Sequence, residues 1–357
     1  MSTINSSNIQ VGQSTTTSNN ITLSTAANGD LLFNKGASGA LTEISRITNA
    51  GLIASNKVSY TPAGTGAVAT TVQSKLRESG SVKDFGAIGD GTWVSSIAGG
   101  TDNLVAFNLA LSAAAILKTN VYAPGGLYYL SSGIVIPRGV KLFGDGETWS
   151  AYVKSGSATR GTGLLINGQT NNDCVKFEEN GGHSSLESIS IYNTNTNSLR
   201  SIVAVVGHLY PRMNRVEIGG LLSCTGVGLL LYPSSTGALY ETLWGDFTSV
   251  KISSGIHTGL KIQGRAVGSV CNTNTFIGGD IGGRIISLVV DSDVVGANSV
   301  SCSFHGTRFE GAYDATILPT FVANSNNVYG YATTSCYVFP IVNIGYSDGL
   351  VFFWVLF

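Results

Sequence analysis

Five polar positions recur in the second half of the chain at steps of 27, 34, 29 and 28 residues: Ser190, Glu217, Lys251, Asp280 and Arg308. Most sit between apolar neighbours, as in Ile189-Ser190-Ile191, Val216-Glu217-Ile218 and Val250-Lys251-Ile252. If these phrases pair as neighbouring strands, adjacent members lie about 4.8 Å apart, and Glu217 and Asp280 stand roughly 10 Å apart with Lys251 between them. That separation is slightly long for the acid and base of an inverting glycosidase, whose carboxyl groups stand about 6.5–9.5 Å apart, but fits a carbohydrate groove. The plainer reading of the same column is an alternating-charge ladder that favours solubility and strand pairing.

A second cluster lies in SFHGTRFEGAYD, where His305, Arg308, Glu310, Tyr313 and Asp314 fall close together in a chain that is only 11% charged. His305 is a candidate general base, and Arg308 can neutralise a carboxylate. Phe304 and Phe309 pointing inward would leave Arg308 and Glu310 outside, where they can equally form ion pairs with a neighbouring subunit. A third set, Glu241, Trp244 and Asp246 in YETLWGD, offers a flat ring with two acids beside it. A tryptophan next to Gly245 also serves as a packed loop anchor.

Metal sites are not expected. Asp291 and Asp293 would have Cα atoms about 6.6 Å apart on an extended strand. Two acids without further oxygen ligands make a weak calcium site. His183, His208 and His257 are isolated and show no zinc spacing. The five cysteines (Cys174, Cys224, Cys271, Cys302, Cys336) are widely spaced with no CxxC pair and read as buried thiols. No Gly-x-Ser-x-Gly elbow and no dinucleotide loop occurs, so no cofactor is expected.

The elements that must position these residues follow from the spacing. Irregular steps near 28, with short strands inside, fit one backbone coil that repeats while its loops vary. Apolar side chains at i and i+2 then share an interior, and each coil covers the core of the next. Gly-Leu phrases at Gly163–Ile166, Gly228–Leu231 and Gly259–Ile262 read as part of the same repeat. A β-sandwich with alternating strands is the competing architecture. The composition agrees with either: 46 glycines and 7 prolines in 357 residues, with 43% hydrophobic residues, give many short strands and tight turns.

Upstream, a helix is expected from Asn103 to about Lys118, capped by Thr101 or Asp102, with Leu104, Phe107, Leu111, Ala114 and Ala115 on its apolar side. Ala67–Glu78 reads as a shorter helix with Val68, Val72 and Leu76 in a narrow stripe that needs partners. Residues 1–66 hold short strand candidates at Ile21–Leu23, Asp30–Phe33, Glu43–Ile47 and Lys57–Tyr60, with only Phe33 and Tyr60 as aromatics. One copy of that block would bury little.

A net charge of -1 leaves no basic footprint for nucleic acid. No run of 18 apolar residues provides a membrane helix, and the start MSTINSSNIQ lacks the features of a secretory signal. The apolar ending GLVFFWVLF must be covered by something.

The stretch Ser81–Gly91 (SVKDFGAIGDG), with Asp102, Phe107 and Leu111, then Val121–Tyr129 (VYAPGGLYY) and Gly139–Gly146 (GVKLFGDG), resembles the opening of the pectate-lyase-like right-handed parallel β-helix family, a form common in tailspikes of tailed bacteriophages. Ser59–Glu78 resembles the connector before many phage tail β-helices. The likeness covers about Ser59–Gly146 well and the later coils only generally. Thr92–Gly100 departs from the pattern, which usually runs straight into the helix, and is expected to be a surface loop. The resemblance implies that Asp84, Asp90, Asp102 and Asp145 are structural.

It further implies an all-β protein: a right-handed parallel β-helix over residues 81–330, including the capping helix, with a β-rich virion-attachment region (1–66), a helical neck (67–80) and a closing segment (331–357). The implied partners are two further copies in a homotrimer, a phage tail or baseplate protein, and bacterial capsule, lipopolysaccharide or exopolysaccharide. Neither nucleic-acid binding nor membrane insertion is expected. The implied activity is recognition of host surface polysaccharide, with depolymerisation by a glycoside hydrolase or a lyase as its extension. For that chemistry the catalytic candidates are Glu217, Asp280, His305, Arg308 and Glu310, and the carbohydrate-binding candidates are Lys251, Trp244, Glu241, Asp246 and Tyr313. A non-catalytic fibre or adaptor is the alternative; a free cellular pectinase ranks third.

Overall fold

The sequence steps are the coil length of a parallel β-helix. Ser190 pairs with Glu217, Glu217 with Lys251, Lys251 with Asp280, and Asp280 with Arg308, each on adjacent parallel strands. The computed structural model describes residues 8–11, 21–35, 42–48, 50–51, 56, 58–94, 97–148, 161–196, 199–221, 224–234, 241–253, 255–264, 271–292, 300–310, 321–323, 332–334 and 337–338. The chain forms two units, residues 1–79 and 80–357.

The second unit winds as a right-handed parallel β-helix, the hand that parallel crossovers adopt. One sheet runs from Asn120–Ala123 through Lys141–Gly144, Ser185–Asn193, Arg212–Gly220, Asp246–Thr248 and Cys271–Ile277 to Val300–His305. A second runs from Ile134–Ile136 through Asp173–Phe177, Ser201–Val206, Val227–Tyr232, Thr258–Gly264 and Ile286–Ser292. Like stacks on like in the interior. Leu186, Met213, Phe247, Phe276 and Phe304 form one inward column, whose three phenylalanine rings stack at 4.6 and 4.8 Å. Ile191, Ile218, Ile252, Ile281 and Phe309 form another, and Val175, Val203, Leu229, Leu260 and Leu288 a third on the second sheet. Each fully buried aliphatic or aromatic side chain stabilises the coil by about 2 kcal/mol. Val216, Val250 and Ile281 lie in this single core.

One repeat phrase belongs elsewhere. Gly228 and Gly259 stand on adjacent rungs of the second sheet, but Gly163–Ile166 pairs with Leu127–Leu130 and Ser190–Asn193 in the first. Inward-facing alternation occurs on every side of a coil, so the phrase alone does not identify its side.

The open end is closed by a helix over Leu104–Leu117, whose Ala106, Phe107, Ala110, Leu111 and Ala114 are buried. Phe107 meets Tyr128 of the first coil edge to face at 5.4 Å. Four motif aspartates hold this end together. Asp84 accepts the Ser81 amide in a capping box, and Asp90 accepts the Thr101 amide and hydroxyl at 3.0 and 2.8 Å. The Thr101 hydroxyl and then its amide lower the Asp90 carboxyl. Asp102 accepts the amides of Leu104 and Ser131; burial would raise its carboxyl, yet these donors hold it below its ordinary value. Asp145 accepts the Gly125 amide and the Tyr122 hydroxyl.

Thr92–Gly100 is more than a surface loop. Thr92–Val94 and Ile97–Gly99 form a hairpin that buries Trp93 completely against Leu165, Tyr192 and Leu221. The alternating Thr-Trp-Val pattern gives it one inward side chain, and that indole makes a small second core outside the coil.

The first unit is a four-stranded antiparallel meander of Asn8–Val11, Ile21–Thr25, Leu31–Lys35 and Thr42–Ile47. Among its described residues only Asp30 and Asn34 are buried, tied to Arg46 and Ser24 respectively. The helix expected over Ala67–Glu78 is confined to Val72–Leu76. Thr70 and Thr71, β-branched, instead pair with Tyr60 and Ser59, and the Thr71 hydroxyl caps the short helix by accepting the Ser74 amide at 3.1 Å. The ending GLVFFWVLF lies outside the described residues.

Candidate functional site

At one corner of five successive rungs, from Gly139 to Thr273, the chain turns through a single residue of left-handed conformation. Three of these residues carry rings: His183, Tyr210 and Trp244, with φ of 61°, 54° and 55°. The amides of the first two make rung-to-rung bonds that fix the register: His183 donates to the Leu209 carbonyl and Tyr210 to that of Leu243. Gly139, bonded in the same way to Gly182, precedes them, and Thr273 follows through the Leu243–Asn272 pair. The rings therefore stack across consecutive coils, His183 on Tyr210 at 4.7 Å and 9°, Tyr210 on Trp244 at 5.0 Å and 19°. They form a ledge on the outside: Tyr210 is 37% and Trp244 43% exposed.

Two buried polar side chains brace the ledge from within. His208 accepts the Ser184 amide at Nε2 (3.3 Å), so its Nδ1 carries the proton and donates to the Glu178 carbonyl at 3.0 Å. Burial lowers its pKa to about 4, so the ring is neutral at pH 7. Asn274 accepts the Gly245 amide at 2.9 Å and donates to the Thr242 carbonyl at 3.0 Å, pinning both sides of Trp244. A Cβ on Gly245 would lie 2.5 Å from Asn274 Oδ1 and 2.6 Å from the Phe247 ring, so glycine is required there.

Charged groups flank the rings. Arg212 and Asp246, two residues beyond Tyr210 and Trp244, are paired on adjacent rungs with Nε and Oδ2 3.6 Å apart. Arg138 is exposed beside Gly139, and Glu241 lies three residues before Trp244.

The polar column lines up in register but is not one open platform. Glu217 is only 6% exposed; its carboxylate accepts the Tyr192 hydroxyl at 2.7 Å and that of Ser190 at 3.1 Å. The Thr148 amide donates to the Ser190 hydroxyl at 2.7 Å, so the 145–148 segment lies over this part of the sheet. Burial, followed by the Glu217 charge, pushes the Tyr192 hydroxyl well up. The outward placement expected for Glu217 is thus corrected: it projects away from the coil interior but into the small core that the Trp93 hairpin and this segment build over it. Lys251 is exposed and bonds Glu147 at 2.5 Å. Asp280 and Arg308 form an ion pair, with Arg308 Nε 3.0 Å from Asp280 Oδ2.

Of the second cluster, Phe304 and Phe309 point inward and meet edge to face, leaving Arg308 exposed. His305 is half-buried on the rung of Ile277, and Glu310 occupies the rung of Gly282. Tyr313 and Asp314 lie outside the described residues, as do Asp293 and Cys336. The other four cysteines are buried; burial drives Cys174 and Cys271 well up and Cys302 to about 12.

Sequence reasoning found Trp244 but set His183 aside as isolated and passed over Tyr210. The signal was present: 183, 210, 244 and 273 repeat the 27, 34 and 29 steps of the polar column, displaced by seven residues.

Residues 79–228 match the family model described as rhamnogalacturonase A/epimerase, pectate lyase-like. No curated protein sequence matches the chain. Among solved structures it is similar to ORF18 of Geobacillus virus E2 (17% identity, 79% of this chain and 57% of that one, TM-score 0.49). The Dettilon tailspike protein is also similar (13%, 74% and 63%, TM-score 0.38). So is the A-module of the Azotobacter vinelandii mannuronan C-5 epimerase AlgE6 (14%, 76% and 99%, TM-score 0.36). The matched part of this chain spans less than two thirds of the first two.

Proposed function

We propose that the chain is the β-helical body of a bacteriophage tailspike or tail fibre, carried on the virion tail, and that it recognises host surface polysaccharide along the ledge of His183, Tyr210 and Trp244. The observation that carries this reading is the exposed stack itself. Ring edges and the outer indole face present apolar surface to the C–H faces of sugars, while Arg212, Asp246 and Glu241 supply hydrogen-bonding groups around them. The tailspike resemblance of Ser81–Gly146 and the pectate-lyase-like match over 79–228 support the same reading.

Binding without cleavage is favoured. Asp246, Asp280 and Glu187 each hold a cation, and Glu217 is buried among hydroxyls. Depolymerisation is the second reading, favoured by the family description; Glu217, Asp280, His305, Arg308 and Glu310 remain its candidates. Incubation with purified capsule or lipopolysaccharide, followed by end-group analysis, separates the two. Retention of intact glycan is expected. New reducing ends would indicate hydrolysis and unsaturated ends elimination; no retention and no product would overturn both.

Residues 1–66 attach this body to a tail or baseplate protein, and three copies assemble. Val105, Leu109 and Ile116 form an exposed apolar stripe on the capping helix, which supports self-association. Sedimentation equilibrium should give three times the chain mass, and a monomer at micromolar concentration would contradict the trimer.

A further inference from the structure

The outer face of the second sheet carries a cavity of about 260 Å³ lined by Arg200, Val227, Leu230, Tyr232, Lys261 and Gln263. Leu230 pairs in register with Lys261, and continuation of that pairing from Leu231–Ile262 places Tyr232 beside Gln263. The four side chains thus occupy a grid about 4.8 Å across the strands and about 6.6 Å along them. Leu230 is buried and, with Val227, supplies apolar lining. Arg200 closes the cavity from the preceding rung. Its Nε donates to Asp173 Oδ1 at 2.9 Å and one terminal nitrogen donates to Oδ2, which fixes the guanidinium plane and leaves the other terminal nitrogen's N–H groups directed away from that pair. The hydrogen bond to Asp173 raises the Arg200 pKa, opposed by burial, so the group stays charged.

A small apolar floor, one phenol, one amide and two cations form a donor-rich site for a compact anionic polyol. We propose that this cavity is a second glycan subsite, separate from the aromatic ledge, that holds a sugar residue bearing an acidic substituent. The acidic group lies between Arg200 and Lys261, and the ring rests on Val227 and Leu230 with Tyr232 and Gln263 at its hydroxyls. The inference rests on the polysaccharide reading and adds to it the charge class of the glycan. It makes the β-helix a two-site binder, in which the second contact is intramolecular and raises avidity.

The test uses the full chain titrated with glucuronate, glucose 6-phosphate and glucose, read by ligand-observed NMR at low and high salt. Binding of an acidic sugar, weakened by salt, with at least fivefold weaker binding of glucose, is expected. The two acidic probes distinguish carboxylate from phosphate as the source of the charge. Lys261→Gln should weaken the acidic sugar at least fivefold, whereas Trp244→Ala should not alter it. Arg200 is left in place because its loss would strand the buried Asp173 carboxylate. Equal binding of glucose, no binding of either acid, or an unchanged Lys261→Gln variant overturns the subsite. Because the probes are single sugars and the ledge is tested separately with polymer, failure here leaves the ledge reading standing.

Discussion

Two corners of the same coil make the same turn with different residues. One column runs Gly139, His183, Tyr210, Trp244 and Thr273; the other runs Ser188, Arg215, Ser249, Gly278 and Gly306. All ten residues have φ between 51° and 72°. A left-handed residue other than glycine costs on the order of 1 kcal/mol. Four of the five residues in the second column are small, with glycine at two rungs, and the fifth, Arg215, donates to the Ser188 hydroxyl. Large rings are therefore not needed to turn the chain. Where they occur, on three successive rungs and on the outside, the fold explains their backbone and leaves their side chains to be explained by the surface they create.

The comparison can be broken at the braces. Asn274→Ala removes two buried hydrogen bonds under Trp244 and should cost about 3 kcal/mol, at roughly 1–3 kcal/mol per stranded group. Chemical unfolding measures it; a loss well under 1 kcal/mol would mean that Asn274 does not hold the ledge.

Acid should act on the same side. His208 is held neutral in the fold, its pKa lowered from 6.5 to about 4. Its contribution is complete above pH 6.5, declines as the pH falls from 6.5 to about 4, and is gone below that, a total of about 3 kcal/mol. Hydrogen-exchange protection at the amides of His183 and Tyr210, corrected for the intrinsic slowing of exchange in acid, should fall over this window before that of Arg215 and Ser249. A uniform loss of protection in both columns would remove His208 as the local cause.

The smallest effect sharpens the backbone argument. Ser249→Gly should change stability by about 0.5 kcal/mol or less, relief of strain offsetting chain entropy. Tyr210→Gly should be net destabilising by about 1 kcal/mol, since two ring contacts go with it. Equal effects in thermal unfolding would show that stacking contributes nothing.

The coil was legible because its requirement is local and repeated: Val216, Val250 and Ile281 must face inward on every rung, whatever the loops do. The ledge was legible in principle by the same steps, since any outward position inherits the register. Burial of Glu217 was not, because the Trp93 hairpin and the 145–148 segment reach it from far along the chain, and strand alternation distinguishes inside from outside only for the coil itself. The short helix at Val72–Leu76 failed for a related reason. The stripe of Val68, Val72 and Leu76 predicts a helix from Ala67, but the strand preference of Thr70 and Thr71 prevails there, and Val68 and Leu76 are exposed.

The most direct measurement is equilibrium binding of purified host polysaccharide to the full chain, to Trp244→Ala and to Ser249→Ala, under conditions where all three are folded. Loss of one stacking ring at about 1.4 kcal/mol gives roughly tenfold weaker binding for Trp244→Ala. Ser249→Ala, on the other corner, should bind as the unaltered chain does. Equal affinity of Trp244→Ala and the unaltered chain would contradict the ledge as the polysaccharide site.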